Sequence, residues 1–325
     1  MKVFVTGATG FIGSHLVKRL VQDGHNITCL VRPTSKIEPL KTLGVNLIFG
    51  DVTKKDTVVE GMVGCDFVVN LANLYSFWEP DKQRYTQVNV DGTQNVMLSA
   101  LESSITKVVH VSTYGIYGKP VDCPFTEQSQ VVPSYTCEYA RTKYTGDLIA
   151  WKLYEKHGLP LAVVYPCNVL GAGDTKITGQ YIRDIIRCRL PATIFEDTIF
   201  TFVHVNDVVE AIVRVLEKPD NIGQKYIIGK YQMSMREINQ LIQEISGVPL
   251  PKMHMPDFLA AITAAFCTFV ANLIKKPPPW GMCTDQIKSM KESFRADGRK
   301  AEKELDIDYT PIHIALEEAI ASYQG

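Results

Sequence analysis

Little in this chain is in excess. Its 34 basic and 35 acidic side chains leave a net charge of −1, so bulk electrostatics offers nucleic acid no footprint. Any site that reads charge is therefore local. The eight cysteines, at 29, 65, 123, 137, 167, 188, 267 and 283, never come closer than 14 residues and form no C-x-x-C pair. That spacing excludes a zinc cluster or a small disulfide framework, and fits reduced thiols in a cytoplasmic protein with no metal. No apolar leader with a small-residue cleavage site opens the sequence, so a mature start at or near Met1 is expected. Self-similarity at a period of about 20–50 residues is also missing, which excludes solenoids and propellers. What remains is 325 residues, 46% hydrophobic and 21% charged, enough for one large core or two ordinary ones without staples.

Short β-branched runs alternate with helical stretches from the start: strands at Lys2–Thr6, Ile27–Val31, Val45–Phe49 and Phe67–Asn70, with a helix at Phe11–Gln22. A long helix is predicted over Asp81–Ser103, a strand at Lys107–Ser112, a helix at Glu138–His157 and a strand at Leu161–Tyr165. This rhythm builds an α/β fold, a doubly wound parallel sheet covered on both faces. After Pro166 the glycines thicken and the rhythm breaks, which predicts a smaller lobe capping the carboxyl edge of the sheet. The strand Thr201–Val205, the helix Asp207–Glu217 and the strand Lys225–Ile228 look like a return to the first lobe. The expected division is a dinucleotide-binding domain over 1–166, with 200–230 returning, and a substrate lobe over 167–199 and 231–325. Ser234 is placed to cap the helix that follows.

Phe258–Ile274 is a 17-residue run without a charge, bounded by Asp257 and Lys275–Lys276. A membrane span needs about 20 apolar residues. Thr263, Thr268 and Asn272 inside the run point to a buried or dimer-facing helix, with peripheral membrane contact as the alternative.

Thr6-Gly7-Ala8-Thr9-Gly10-Phe11-Ile12-Gly13 follows the first strand and opens the first helix. Gly7 suits a tight turn, Gly10 a close approach of backbone to a pyrophosphate, and Gly13 close packing of helix on strand. Free N–H groups at the helix start meet the anion. The second strand ends on Arg32, with Thr34, Ser35 and Lys36 beyond it. A guanidinium there suits a 2′-phosphate, which a carboxylate would repel, so NADP is favoured over NAD; the alternative is a solvated arginine against the adenine of either.

Tyr-x-x-x-Lys occurs twice. Tyr139 and Lys143 lie in a helical stretch, where residues four apart sit about 6 Å from each other. Tyr226 and Lys230 lie in a strand, where four residues span about 13 Å, so that pair reads as structural. An adjacent ammonium and an oxidised nicotinamide both favour the anion of a phenol that ordinarily titrates near 10. A hydroxyl to polarise a carbonyl belongs at the carboxyl end of a strand, where both Ser112 and Thr113 stand.

Taken together, Thr6–Gly13, Gly50-Asp51-Val52, Asn89-Val90-Asp91-Gly92-Thr93, Val111–Gly118, Tyr139–Lys143 and Phe202–Asp207 resemble the extended short-chain dehydrogenase/reductase family, collinearly over about the first 230 residues. The resemblance implies a Rossmann-type fold and selects Thr113 over Ser112 as the active hydroxyl, Tyr139 as acid/base, and Lys143 as the group that holds the nicotinamide ribose. It also implies that Asp51 and Val52 contact adenine, that Leu71, Ala72 and Asn73 run along the cofactor, and that Asn89 lies at its inner side. Pro166, Asn168 and Val169 resemble the turn bordering nicotinamide and substrate. Asn70-Leu71-Ala72-Asn73 departs from the usual His-x-Ala-Ala form.

Within that family, sugar-nucleotide dehydratases carry Asp-Glu after the catalytic threonine, whereas this chain has Tyr114-Gly115. Sugar-nucleotide epimerases place an arginine where Phe200 stands; Arg183, Arg187 and Arg189 offer substitutes or form a solvated helix face. Leu30–Lys36 and the aromatic insert Asn73–Pro80 are similar to the dihydroflavonol-4-reductase-like branch, which includes 3β-hydroxysteroid dehydrogenases and hopanoid-associated epimerase-like proteins. Tyr75, Phe77 and Trp78 then wall an apolar pocket or pack under the second lobe. The implied function is an NAD(P)(H)-dependent oxidoreductase acting on a small apolar alcohol or ketone, with homodimers formed through the two long helices. The alternatives are a sugar-nucleotide 4-epimerase that retains its NAD, or a dinucleotide-sensing protein without chemistry.

Overall fold

The first strand, β1 (Lys2–Thr6), is buried at four of its five residues, as befits a strand at the centre of a sheet covered on both faces. The structure, a computed structural model, describes residues 1–324. In chain order β1 is followed by α1 (Phe11–Gln22), β2 (Asn26–Val31), α2 (Glu38–Thr42), β3 (Asn46–Phe49), α3 (Lys55–Met62), β4 (Phe67–Asn70), α4 (Gln83–Thr86), α5 (Gly92–Glu102), β5 (Lys107–Val111), α6 (Glu138–His157) and β6 (Leu161–Pro166). Beyond lie β7 (Asn168–Leu170), α7 (Ile177–Ile186), β8 (Ile199–His204), α8 (Val205–Glu217), β9 (Lys225–Ile228), β10 (Tyr231–Ser234), α9 (Met235–Ser246), α10 (Asp257–Ile274), α11 (Thr284–Met290), α12 (Arg299–Leu305) and α13 (Ile312–Gln324).

The main sheet runs β3-β2-β1-β4-β5-β6-β9, parallel throughout. The strand order reverses between β1 and β4, and in such sheets the crevice outside the carboxyl ends at that point takes the ligand. Thr6, Val31, Asn70, Val111 and Pro166 are the last residues of the strands around it, so the glycine loop, Arg32, Leu71–Asn73, Ser112–Thr113 and the turn at Asn168 all leave the sheet on this edge.

The smaller sheet, β10-β8-β7, corrects one expectation. The strand expected at Thr201–Val205 is Ile199–His204, and it pairs with β7 and β10 rather than rejoining the main sheet. Its alternation explains why: Val203 turns into the main core while Phe200 and Phe202 turn into the lobe core. Of the expected return, α8 and β9 come back. Nor does the span 231–325 belong wholly to the second lobe, because Ala301, Leu305, Ile307 and Tyr309 are buried in the same core as β1.

The long helix expected over Asp81–Ser103 is present as α4 and α5 joined by a π-helical turn at Gln87–Asp91. Such a turn adds a residue and re-aims side chains, and here Asn89 is turned inward together with Val90. Against it lies α6, which starts with the Cys137 thiol accepting from the Ala140 amide and ends on left-handed Gly158. The two helices approach closely at Gly146, where a Cβ would stand 2.3 Å from the Asn89 carbonyl oxygen. Ser234 does cap α9, in a reciprocal box with Glu237.

Of the two settings expected for the uncharged run, buried or dimer-facing, the buried one is overturned. The uncharged helix α10 is not a buried helix; only Ala260, Ala264 and Ala271 are buried, and its aromatic side chains face outward.

Because the α5–α6 approach has no room for a methyl group, Gly146→Ala is expected to cost about 1–3 kcal/mol through overpacking. Urea unfolding reads this directly, and an unchanged midpoint would mean that the helices are not held this tightly.

Candidate active site

The glycine loop takes the form its sequence requires. Gly7 has a left-handed φ of 72°, and a Cβ there would fall 2.7 Å from the Leu71 carbonyl carbon and 2.8 Å from the Ala72 nitrogen. The loop thus lies directly on the 71–72 segment at the end of β4. Gly13 allows no Cβ either, since one would sit 2.2 Å from the Gly7 oxygen. At Gly10, by contrast, an added Cβ meets only the Gly7 oxygen, at 3.1 Å. Gly10 is the N-cap of α1 and no side chain caps that helix, which leaves its first N–H groups to an anion. Thr9 is exposed, and Phe11 and Ile12 are half-buried, with Phe11 edge-on to His15.

Beneath this loop runs a buried polar chain. The Thr6 hydroxyl donates to Asn70 Oδ1 at 2.6 Å and accepts from the Ala72 N–H at 3.2 Å. Asn70 Nδ2 meets His110 Nδ1 at 3.2 Å. Burial, with Lys143 adding to it, holds the His110 imidazole well below its ordinary value and therefore neutral. Asn73 Nδ2 donates to the Leu71 oxygen. On the other side of the loop, Asp51 accepts from the Thr53 N–H, and the Val52 oxygen accepts from Asn95 Nδ2. Arg32 and Lys36 are exposed beyond β2.

The catalytic candidates converge at the ends of β5 and α6. Thr113 follows β5, and its hydroxyl accepts from the Gly115 N–H at 3.3 Å. Burial raises the Tyr139 phenol above its ordinary value, and the neighbouring Thr113 hydroxyl opposes this. The pull towards the anion expected from an adjacent ammonium and an oxidised nicotinamide is a property of the loaded site; in the nucleotide-free protein burial dominates, and the phenol keeps its proton at neutral pH. Lys143 is buried, and its Nζ donates to the Val111 oxygen at 3.1 Å. Burial drives that amine down to about 8, against the opposing charge of Asp147.

Asp147, one helical turn beyond Lys143, was not foreseen, although an acid at i+4 from a candidate lysine was a visible signal. Its Oδ2 accepts from the Tyr165 hydroxyl at 3.0 Å, and that hydroxyl accepts from Trp151 Nε1 at 3.1 Å. Asp147 Oδ1 and the Ser112 hydroxyl are buried without a hydrogen-bond partner of sound geometry. Burial pushes the Asp147 carboxyl up.

Asn89 spends its amide within the protein. Its Oδ1 accepts from the Leu74 N–H at 2.7 Å and its Nδ2 donates to the Thr142 hydroxyl at 3.0 Å. It therefore holds the aromatic insert against α6, beside Tyr139. In that insert Tyr75 lies with its ring centroid 4.9 Å from that of Tyr139, and Phe77 is 6.3 Å beyond Tyr75. Trp78 points away, its Nε1 donating to Asn272 of α10. Asn168 donates to the Tyr114 hydroxyl at 2.8 Å; Pro166 is buried and Val169 half-buried beside it. Phe200 is buried in the lobe core with Phe202 and Ile238. Tyr226 and Lys230 stay apart, the first meeting Glu304 and the second Glu302.

Residues 3–229 match the NAD dependent epimerase/dehydratase family. The chain belongs to that family. It is 28% identical over 99% of its length to a Synechocystis sp. protein with the provisional name dihydroflavonol 4-reductase, covering 94% of that protein. It is also 26% identical over its whole length to sterol demethylase protein B of Methylococcus capsulatus, covering 98% of that chain. Among solved structures, the crystal structure of gox2253 superposes with a TM-score of 0.85 at 30% identity, over 99% of this chain and 97% of that one.

Members of this family are NAD(P)-dependent oxidoreductases, epimerases and dehydratases, and this chain is such an enzyme. The loop fits the dinucleotide: Gly7 and Gly13 without space for side chains, Gly10 at an uncapped helix start, and Leu71–Ala72 beneath.

Lys143 carries a pH signature. Its amine ordinarily titrates at 10.5 and here at about 8, so between these values the folded protein binds fewer protons than the unfolded chain, and stability rises with pH. Relative to Lys143→Met, the nucleotide-free protein should gain up to about 3 kcal/mol from neutral pH to pH ~10.5. Urea unfolding of the pair across that range checks it, and a constant difference would contradict the buried amine.

Proposed function

We propose that this enzyme is a reductase or dehydrogenase of a small apolar ketone or alcohol, using NADP(H). The observation that carries the reading is the setting of Tyr139, a buried phenol holding its proton, with Thr113 on one side and the ring of Tyr75 on the other. When bound, the dinucleotide supplies or accepts the hydride. In the reducing direction the Tyr139 Oη gives its proton to the carbonyl oxygen, and the Thr113 hydroxyl donates a hydrogen bond to that same oxygen. Lys143 holds the sugar next to the ring and brings a positive charge behind the phenol as it loses its proton.

Support for an apolar substrate comes from Tyr75 and Phe77, and from Phe200 lying in the lobe core where an epimerase would need an arginine. The sterol named for the Methylococcus relative is of the same character. For the cofactor, Arg32 stands exposed at the end of β2 where an acidic residue would favour NAD. Cytoplasmic residence and a homodimer through α5 and α6 complete the reading.

Screening apolar ketones and sugar nucleotides by NADPH absorbance finds the substrate. Tyr139→Phe is then expected to lower kcat by about 10²–10⁴-fold with cofactor affinity nearly unchanged. Unaffected turnover would refute the assignment, and epimerised sugar nucleotide with retained NAD would replace it. Separately, Arg32→Ala should weaken NADP about tenfold or more while leaving NAD almost untouched. Equal losses for the two nucleotides would remove the NADP preference.

A further inference from the structure

Helix α10 is built the wrong way round for water. Its polar side chains serve the protein body: the Thr268 hydroxyl accepts from the Thr284 N–H at 2.9 Å, and Asn272 Oδ1 accepts from Trp78 at 2.9 Å. Ala260 and Ala264 pack beside Phe195 and Ile287. Phe258, Ile262, Phe266, Phe269 and Leu273 face outward along a single helical stripe, each between 62% and 74% exposed. A surface helix of a soluble protein has the opposite pattern.

We propose that this face of α10 seats the protein on a lipid surface with anionic headgroups, lying in the interface rather than crossing it. Eighteen residues of helix give about 27 Å, close to the hydrocarbon thickness, but the alanine face is fixed to the protein body, so the helix cannot cross alone. The flanking charges suit phosphate headgroups. Lys252 lies before the helix and Lys275 and Lys276 after it, all exposed, and the single acid within it is Asp257 in the first turn. Trp280, half exposed just beyond the lysines, is of the type that settles at a membrane interface. A second copy of the chain is less suited to this face. One side of a 27 Å helix offers about 400 Å², half of the ~800 Å² that each partner of a stable interface buries.

The seat is also joined to the active site. Trp78 ties the aromatic insert to α10, and the same insert lays Tyr75 on Tyr139, so one short segment links the lipid seat to the apolar wall of the site. Entry of substrate from the bilayer rests on the reductase reading above; attachment of the helix does not.

Co-sedimentation of the full chain with phosphatidylcholine vesicles, with and without phosphatidylglycerol, tests the proposal. The protein should bind, more strongly with phosphatidylglycerol and less at high salt. Phe266→Glu/Phe269→Glu should weaken binding about tenfold or more, with circular dichroism and NADP affinity unchanged. Ile262→Glu/Leu273→Glu repeats the measurement on other turns, and Lys275→Glu/Lys276→Glu should abolish the preference for phosphatidylglycerol. No binding to either vesicle, or equal binding by both glutamate pairs and the parent protein, overturns the proposal. So does a parent protein that ignores vesicles but dissociates into monomers on Phe266→Glu/Phe269→Glu, which would assign the face to a second copy.

Discussion

A lysine amine sealed inside the protein is the constraint from which the site takes its shape. Lys143 reaches no water, so its proton must be held by the Val111 carbonyl and by the charge of Asp147, or be given up. That requirement fixes the end of β5 against α6. It also recruits β6, because Asp147 is held by Tyr165 and Tyr165 by Trp151. Three elements that could slide in an apolar core are pinned together by one charge. Thr113 and Tyr139 inherit their places from this arrangement, one following β5 and the other a turn before Lys143.

A second restraint runs outward. The π-helical turn aims Asn89 between Thr142 of α6 and the backbone of Leu74, so the catalytic helix and the aromatic insert share one amide. The insert carries this order on to α10 through Trp78. Proton donor, aromatic wall and outer helix form a continuous series of contacts, in which a shift of α10 must be felt at Tyr75. The close approach at Gly146 keeps the inner end of the series from loosening.

What the sequence disclosed follows the range of the interactions involved. The glycine loop, the strand-helix rhythm and the Tyr139–Lys143 pair are local patterns, and each lies where its spacing put it, with α6 matching from Glu138 to His157. Strand β8 was misplaced because alternation shows that Phe200 and Val203 face opposite ways without saying which sheet lies on each side. The polarity of α10 was hidden for a similar reason. An uncharged run reads as buried unless one knows which face its alanines turn inward. The burial that raises the Tyr139 phenol in the nucleotide-free protein is a desolvation effect, which no spacing encodes.

The proton inventory then bears on how the site cycles. A phenol that holds its proton and an amine near 8 form a donor with a modest positive charge behind it, poised to give the proton away rather than to take one. Reduction asks for that arrangement at its start, whereas oxidation asks for the phenolate. The positive charge of an oxidised nicotinamide stabilises a phenolate; a reduced ring lacks that charge and leaves the proton in place. On the proposed reading, proton transfer at Tyr139 would follow the redox state of the nucleotide beside it, with the buried Lys143 amine, lowered to about 8 in the nucleotide-free protein, supplying positive charge behind the phenol.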